Sequence, residues 1–170
     1  MSTQHPELKR ITKEGVPAAL QKAHRYRVLN DSVAAESICL DVLAVDPANV
    51  EAIVMHLLSI TDQFPAGHAA DRSRAEQAAG ALKDPYKAAY YQGVICERWA
   101  NGLIHRAAPR SGEQAYEWIA KALDCYAKAE KLRPAGNDEA ILRWNTCVRT
   151  LQREASVKPR DAEAYEPALE

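Results

Sequence analysis

Glycine is scarce in this chain: seven residues in 170, with no two closer than nine positions. That removes the glycine-rich loop that cradles phosphates and leaves little material for tight hairpin turns. Only one phenylalanine is present. Long apolar runs are missing too, since residues 53–55 are followed by His56 and residues 57–58 by Ser59. A membrane span needs ~20 apolar residues, so no membrane insertion is expected. Neither sign of charge dominates: 22 Lys and Arg face 23 Asp and Glu, a net charge of −1. The broad basic footprint of a nucleic-acid-binding protein is therefore absent. The start, Met1-Ser-Thr-Gln-His-Pro-Glu, lacks the apolar core of an export signal, which points to a cytoplasmic protein.

Chemistry-bearing motifs are equally few. Cys39, Cys96, Cys125 and Cys147 form no Cys-x-x-Cys, and no histidine lies within four residues of any of them. Reduced thiols buried as small apolar residues are the expectation, with disulfides the weaker alternative. The patterns His-Glu-x-x-His and Gly-x-Ser-x-Gly do not occur. His5, His24, His56, His68 and His105 belong to different segments and read as helix-surface residues rather than metal ligands. No metal or cofactor is expected.

What the chain has in quantity is alanine, with 31 residues, the best helix former. Pro47, Pro65, Pro85, Pro109 and Pro134 sit beside turn residues and divide the sequence into segments of helical length. A proline in a helix interior costs ~3 kcal/mol, so prolines at this spacing are stops. Between them the apolar period is helical. Ala115, Ile119, Ala122, Tyr126 and Ala129 recur at spacings of four and three. No stretch alternates long enough for a half-buried strand. Seven helices are predicted, near 16–30, 32–45, 48–63, 68–83, 86–107, 112–132 and 137–154. Asp31 or Ser32 is placed to cap the second, and Asn137 or Asp138 the last. Residues 1–15 read as a polar segment with room for a short helix, 16–154 as the folded domain, and 155–170 as a mobile charged tail without an apolar anchor.

One helix carries a repeat signature. The array Ala122-x3-Tyr126-x2-Ala129-x4-Pro134 resembles the second helix of a tetratricopeptide repeat. Small residues admit a neighbouring helix, an aromatic fills the gap and a proline ends the unit. The first pair has the same frame: Tyr26 precedes Ala35 by nine residues and Pro47 follows it by twelve, with Cys39 in place of the aromatic. Gly93 resembles the small residue in the middle of a first helix. The prolines depart from the family period of ~34, with 38 residues from Pro47 to Pro85 and 49 from Pro85 to Pro134. The resemblance spans residues 16–154. It implies an all-α, right-handed superhelix of about three helix pairs plus a capping helix. In that last helix Ile141, Trp144 and Val148 are expected to pack inward, while Glu139, Arg143, Arg149 and Arg153 face out.

The resemblance also implies a function: a non-catalytic adaptor or scaffold that holds a peptide or partner helix in a groove lined by the first helices. Carried onto this chain, the groove comprises Leu20, His24 and Arg27, then Val54, Leu58 and Asp62, then Tyr90, Val94, Glu97, Arg98, Asn101 and His105. Tyr90 and Arg98 are expected to carry most of the specificity, since both residue types dominate interface energies. The family's grip on a terminal carboxylate uses Lys, Arg and Asn. The matching places here hold Leu20, His24, Met55, Lys87 and Tyr91, so only Lys87 fits. Asp62 and Glu97 argue against a groove for RNA. Homo-oligomerisation stays open. The competing reading is a helical enzyme or ligand-binding domain with a closed site near Glu97, Asn101 and His105. Trp99, Trp118 and Trp144 read as packing between repeats rather than ligand stacking.

Overall fold

The computed structural model describes residues 6–66 and 69–160. Among them it contains seven α-helices and no strand: α1 (Val16–Val28), α2 (Ser32–Val45), α3 (Val50–Thr61), α4 (Ala69–Ala79), α5 (Pro85–Arg106), α6 (Ser111–Leu132) and α7 (Glu139–Arg153). The all-helical expectation holds, and most boundaries fall within two residues of those read from the prolines and caps. Asp31 accepts a hydrogen bond from the Ala34 amide at 3.1 Å and starts α2. Asn49 does the same for Ala52 at 2.9 Å, and Asp84 for Lys87 at 2.7 Å. The last helix has no side-chain cap from Asp138, but Asn137 Oδ1 accepts from the Glu139 amide at 3.0 Å.

Four details differ from expectation. The fourth helix stops at Ala79 rather than near residue 83, because Gly80 begins a turn that swings Leu82 back into the core. A single 3-10 turn, Phe64–Ala66, buries Phe64 edge-on against Trp99, with ring centroids 5.2 Å apart. Residues 6–15 contain no α-helix, only the turn closed by Thr12 and Gly15. At the far end the segment after 155 has an apolar anchor after all: Val157 is buried in the main core, and Ser156 lies so close to Gly112 that a Cβ there would collide with its carbonyl. Residues 1–5 and 161–170, on which the rest of both terminal expectations falls, lie outside the described residues.

Consecutive helices pack on one another from α1 to α7, and α1, α3, α5 and α7 also touch in series. The closest association is that of α5 with α6. Its cause is the small-residue stripe: Ala115, Ala122 and Ala129 are fully buried, and the Tyr126 ring lies on Gly93. A Cβ on Gly93 would sit 2.6 Å from Tyr126 Cε1. The expectation that Ala122 and Ala129 lie where helices come close is met. The main core runs from α3 to α7, while α1 and α2 add two small clusters, one around Leu20 and Val42, the other around Ala23, Ala35 and Cys39.

The inward face of α7 is not the one expected. Ala140, Cys147 and Thr150 are buried, Ile141, Arg143 and Val148 are half-buried, and Trp144 is 36% exposed. Arg143 is drawn in by Glu97 of α5, an ion pair at 3.3 Å. A charge partner on another helix holds Arg143 at the edge of the buried face, beside Ala140 and Cys147.

Candidate functional site

The ends of α1 and α3 and the second half of α5 surround a cavity of about 390 Å³ that is open to solvent. Asp62, just past the end of α3, bridges two arginines from different helices. Its Oδ2 accepts from Arg27 Nε at 2.7 Å and its Oδ1 from Arg98 Nη1 at 2.5 Å. Arg98 also donates to Thr61 Oγ1 at 2.7 Å and to the Leu58 carbonyl. Arg27 reaches the Met55 sulfur at 3.7 Å. Two guanidinium charges against one carboxylate leave the rim with a net positive charge. Burial pushes the Arg98 pKa down, and Asp62 opposes that shift. Arg143 of α7 acts on Arg98 as well, and Arg27 and Arg143 together counter the burial that raises the Tyr91 pKa. Side chains from α1, α3, α5 and α7 thus share one electrostatic neighbourhood.

Of the twelve residues expected to line a groove, Arg27, Asp62, Arg98, Asn101 and His105 are brought together around this cavity. His24 is exposed on α1 but does not line it. The apolar members have gone inside. Leu20 and Val94 are buried, and Val54 and Leu58 are half-buried against the core. Tyr90 is buried among Tyr86, Tyr91 and Tyr126, with ring centroids 5.0 to 6.0 Å away. Its expected role at the surface is therefore corrected. Glu97 is corrected too: it is 4% exposed, accepts the Tyr126 hydroxyl at 2.5 Å and pairs with Arg143. That carboxylate raises the Tyr126 pKa further than burial alone does.

Sequence reasoning missed Asn30, Ser32, Thr61, Pro65 and Gly102, which complete the lining. Two of them carried a signal. Asn30 and Ser32 flank the turn after α1, and Asn30 adopts a left-handed φ of 60° that reverses the chain beside Arg27. Gly102 stands one turn beyond Arg98. A Cβ there would meet the Phe64 carbonyl oxygen at 3.3 Å, so its small size seats the 3-10 turn.

No protein-family model matches the chain, and no curated protein or solved structure matches it.

Glu97, Asn101 and His105 do not form the closed site of the competing reading. Glu97 faces the core, and the other two line the open cavity. Among the described residues, no three His, Cys, Asp or Glu side chains are grouped to hold a metal ion. Among the described residues, no helix is long and apolar enough to cross a membrane. A second cavity of about 570 Å³, lined by Pro47, Val50, Ile53, Leu82 and Lys87 among others, lies at the opposite end of α3 and α5 and is largely apolar.

Proposed function

We propose that the chain is a non-catalytic protein-interaction scaffold whose helix pairs α1–α2, α3–α4 and α5–α6 stack in the manner of tetratricopeptide repeats, with α7 as the closing helix. The serial contact of α1, α3, α5 and α7 supports the stack, as does the Gly93–Tyr126 packing between α5 and α6. The observation that carries the function is the Arg27–Asp62–Arg98 bridge. It joins α1, α5 and the end of α3 around one solvent-open cavity whose lining residues are mostly polar or charged. With Tyr90 and Val94 buried, recognition rests on hydrogen-bonding and charged groups rather than on an apolar floor. Asn101 and His105 stand exposed at the entrance, and the excess positive charge favours a partner segment bearing an acidic side chain.

Asn101 and His105 are the residues to change, because Tyr90 is a core residue whose loss would disturb the fold. The double variant Asn101→Glu, His105→Glu should melt like the parent, since exposed substitutions usually cost within ~0.5 kcal/mol. It should fail to retain the partner that the parent captures from an extract of its native host. Equal capture by parent and variant would remove the cavity from the interaction.

A further inference from the structure

The largely apolar cavity of about 570 Å³ falls within the ~300–1,000 Å³ range of small-molecule sites. Two turns of the chain leave the room for it. Pro47 and Ala48, between α2 and α3, bring little bulk to one side. On the other, the turn that begins at Gly80 sends Leu82 into the core and leaves the small Ala81 at the surface. Ile53 and Leu82 form the buried part of the lining, while Pro47, Ala48, Val50 and Ala81 stay exposed. Val50, the first residue of α3, is 43% exposed, a large apolar side chain left open to water. The polar part of the lining is charged and unbalanced. Lys83 and Lys87 are exposed, and among the described residues neither pairs with a carboxylate. Asp84 is the single carboxylate of the lining, and its Oδ1 is already engaged by the Lys87 amide at 2.7 Å. One positive charge is therefore in excess. The first turn of α5 holds no acidic residue to offset it, whereas that of α3 has Glu51.

We infer that this cavity binds a medium-chain carboxylate, its alkyl chain against Val50, Ile53 and Leu82 and its head between Lys83 and Lys87. Each half of the lining selects one half of the ligand. Apolar walls are covered by an alkyl chain, and each methylene they enclose tightens binding roughly fourfold. The lysine stems continue the apolar surface, and their ammonium groups favour an anion where the chain emerges. A small inorganic anion would leave the walls uncovered. A neutral alcohol of equal length would fill the cavity but forgo the charge, and a cationic amphiphile would meet two like charges. The site lies at the opposite end of α3 and α5 from Asp62 and Arg98. Its occupancy is thus independent of the partner-binding reading of the polar cavity.

The test is titration calorimetry of the full chain with decanoate, hexanoate, decanol and decyltrimethylammonium, at neutral pH and below the micellar range. Decanoate should bind as one molecule per chain, and hexanoate should be roughly tenfold weaker or more, because it loses enclosed methylenes. Decanol should bind more weakly than decanoate, and decyltrimethylammonium more weakly still. Magnetisation transfer by NMR should place the decanoate chain against the methyl groups of Ile53 and Leu82. The double variant Lys83→Gln, Lys87→Gln should lose the preference for decanoate over decanol and keep the affinity for decanol. Val50→Glu, an exposed change that sets a like charge in the wall, should reject decanoate and melt like the parent. Asn101→Glu, His105→Glu should bind decanoate as the parent does, which separates this site from the polar cavity. Three results on the parent chain each overturn the inference: no decanoate binding up to millimolar concentration, equal affinity for decanoate and decanol, or chain contacts to residues outside this cavity. These readouts need no variant, so a substitution that folds poorly does not shelter the proposal.

Discussion

The contact of α1 with α2 and that of α5 with α6 differ in what fills them. In the third pair, α5 and α6 have 22 residues each and enclose Tyr126 between Gly93, Tyr90 and Glu97. In the first, α1 and α2 have 13 and 14 residues, and the buried residues between them are the small Ala23, Ala35 and Cys39. Only small clusters form there, and Val28, Leu29, Val33 and Leu40 are left exposed. An aromatic in the gap is therefore worth more than its own area, because it also anchors a buried polar network. The cavity lies where the two kinds of pair meet. It takes Arg27 from the loosely filled pair and Arg98 from the tightly filled one.

The strongest way to break this contrast is to cut the network. Glu97→Ala strands the Tyr126 hydroxyl and leaves Arg143 without its carboxylate partner. Arg143 is 35% exposed and stays solvated, so the loss is that of the buried hydrogen bonds to a charged group, ~1.5–3 kcal/mol, read by urea denaturation. A loss under ~1 kcal/mol would mean that the third pair is not the stability centre. Next comes overpacking. Ala129 has no exposed surface, so Ala129→Leu should cost ~1–3 kcal/mol, read as a lowered melting temperature. An unchanged melting curve would place α6 outside the tight interface.

The smallest effect sharpens the contrast from the other side. His56 of α3 is half-buried, and among the described residues its Nε2 has no hydrogen-bond partner, lying 3.8 Å from Glu36 of α2. Burial lowers its pKa below 6.5. The unfolded chain therefore binds the proton more readily, and stability falls as pH drops below 6.5 toward the lower folded value. Melting temperature should decline over that window, and His56→Gln should flatten the slope. If the slope is unchanged in the variant, the acid sensitivity of the molecule lies elsewhere.

Helix ends were legible because prolines and capping side chains act within a few residues of where they stand. Gly93 and the Ala122–Tyr126–Ala129 array were legible because close helix packing tolerates few residue types. The direction of side chains on α5 was not. This helix touches α3, α4, α6 and α7, so apolar residues occur on most of its surface and periodicity cannot mark one open face. Tyr90, Val94 and Glu97 turned inside, while Arg98, Asn101 and His105 turned toward the cavity. The burial of Glu97 depends on Tyr126, 29 positions away, and on Arg143, 46 away. No local pattern encodes pairs at that distance, and the same pairing explains why the charged Arg143 is half-buried.

The three tryptophans report on different parts of this architecture. Arg72 of α4 lies over Trp118, 4.6 Å from its ring centre, and 5.8 Å from Trp99, while Lys121 lies over Trp118 and Arg106 over Trp99. Trp144 stands near solvent on α7 and has no such neighbour among the described residues. The emission of Trp99 and Trp118 is thus tied to whether α4 is seated, and that of Trp144 is a nearly independent baseline. The molecule carries its own optical gauge of α4 docking, and any ligand that shifts that helix announces itself without a label.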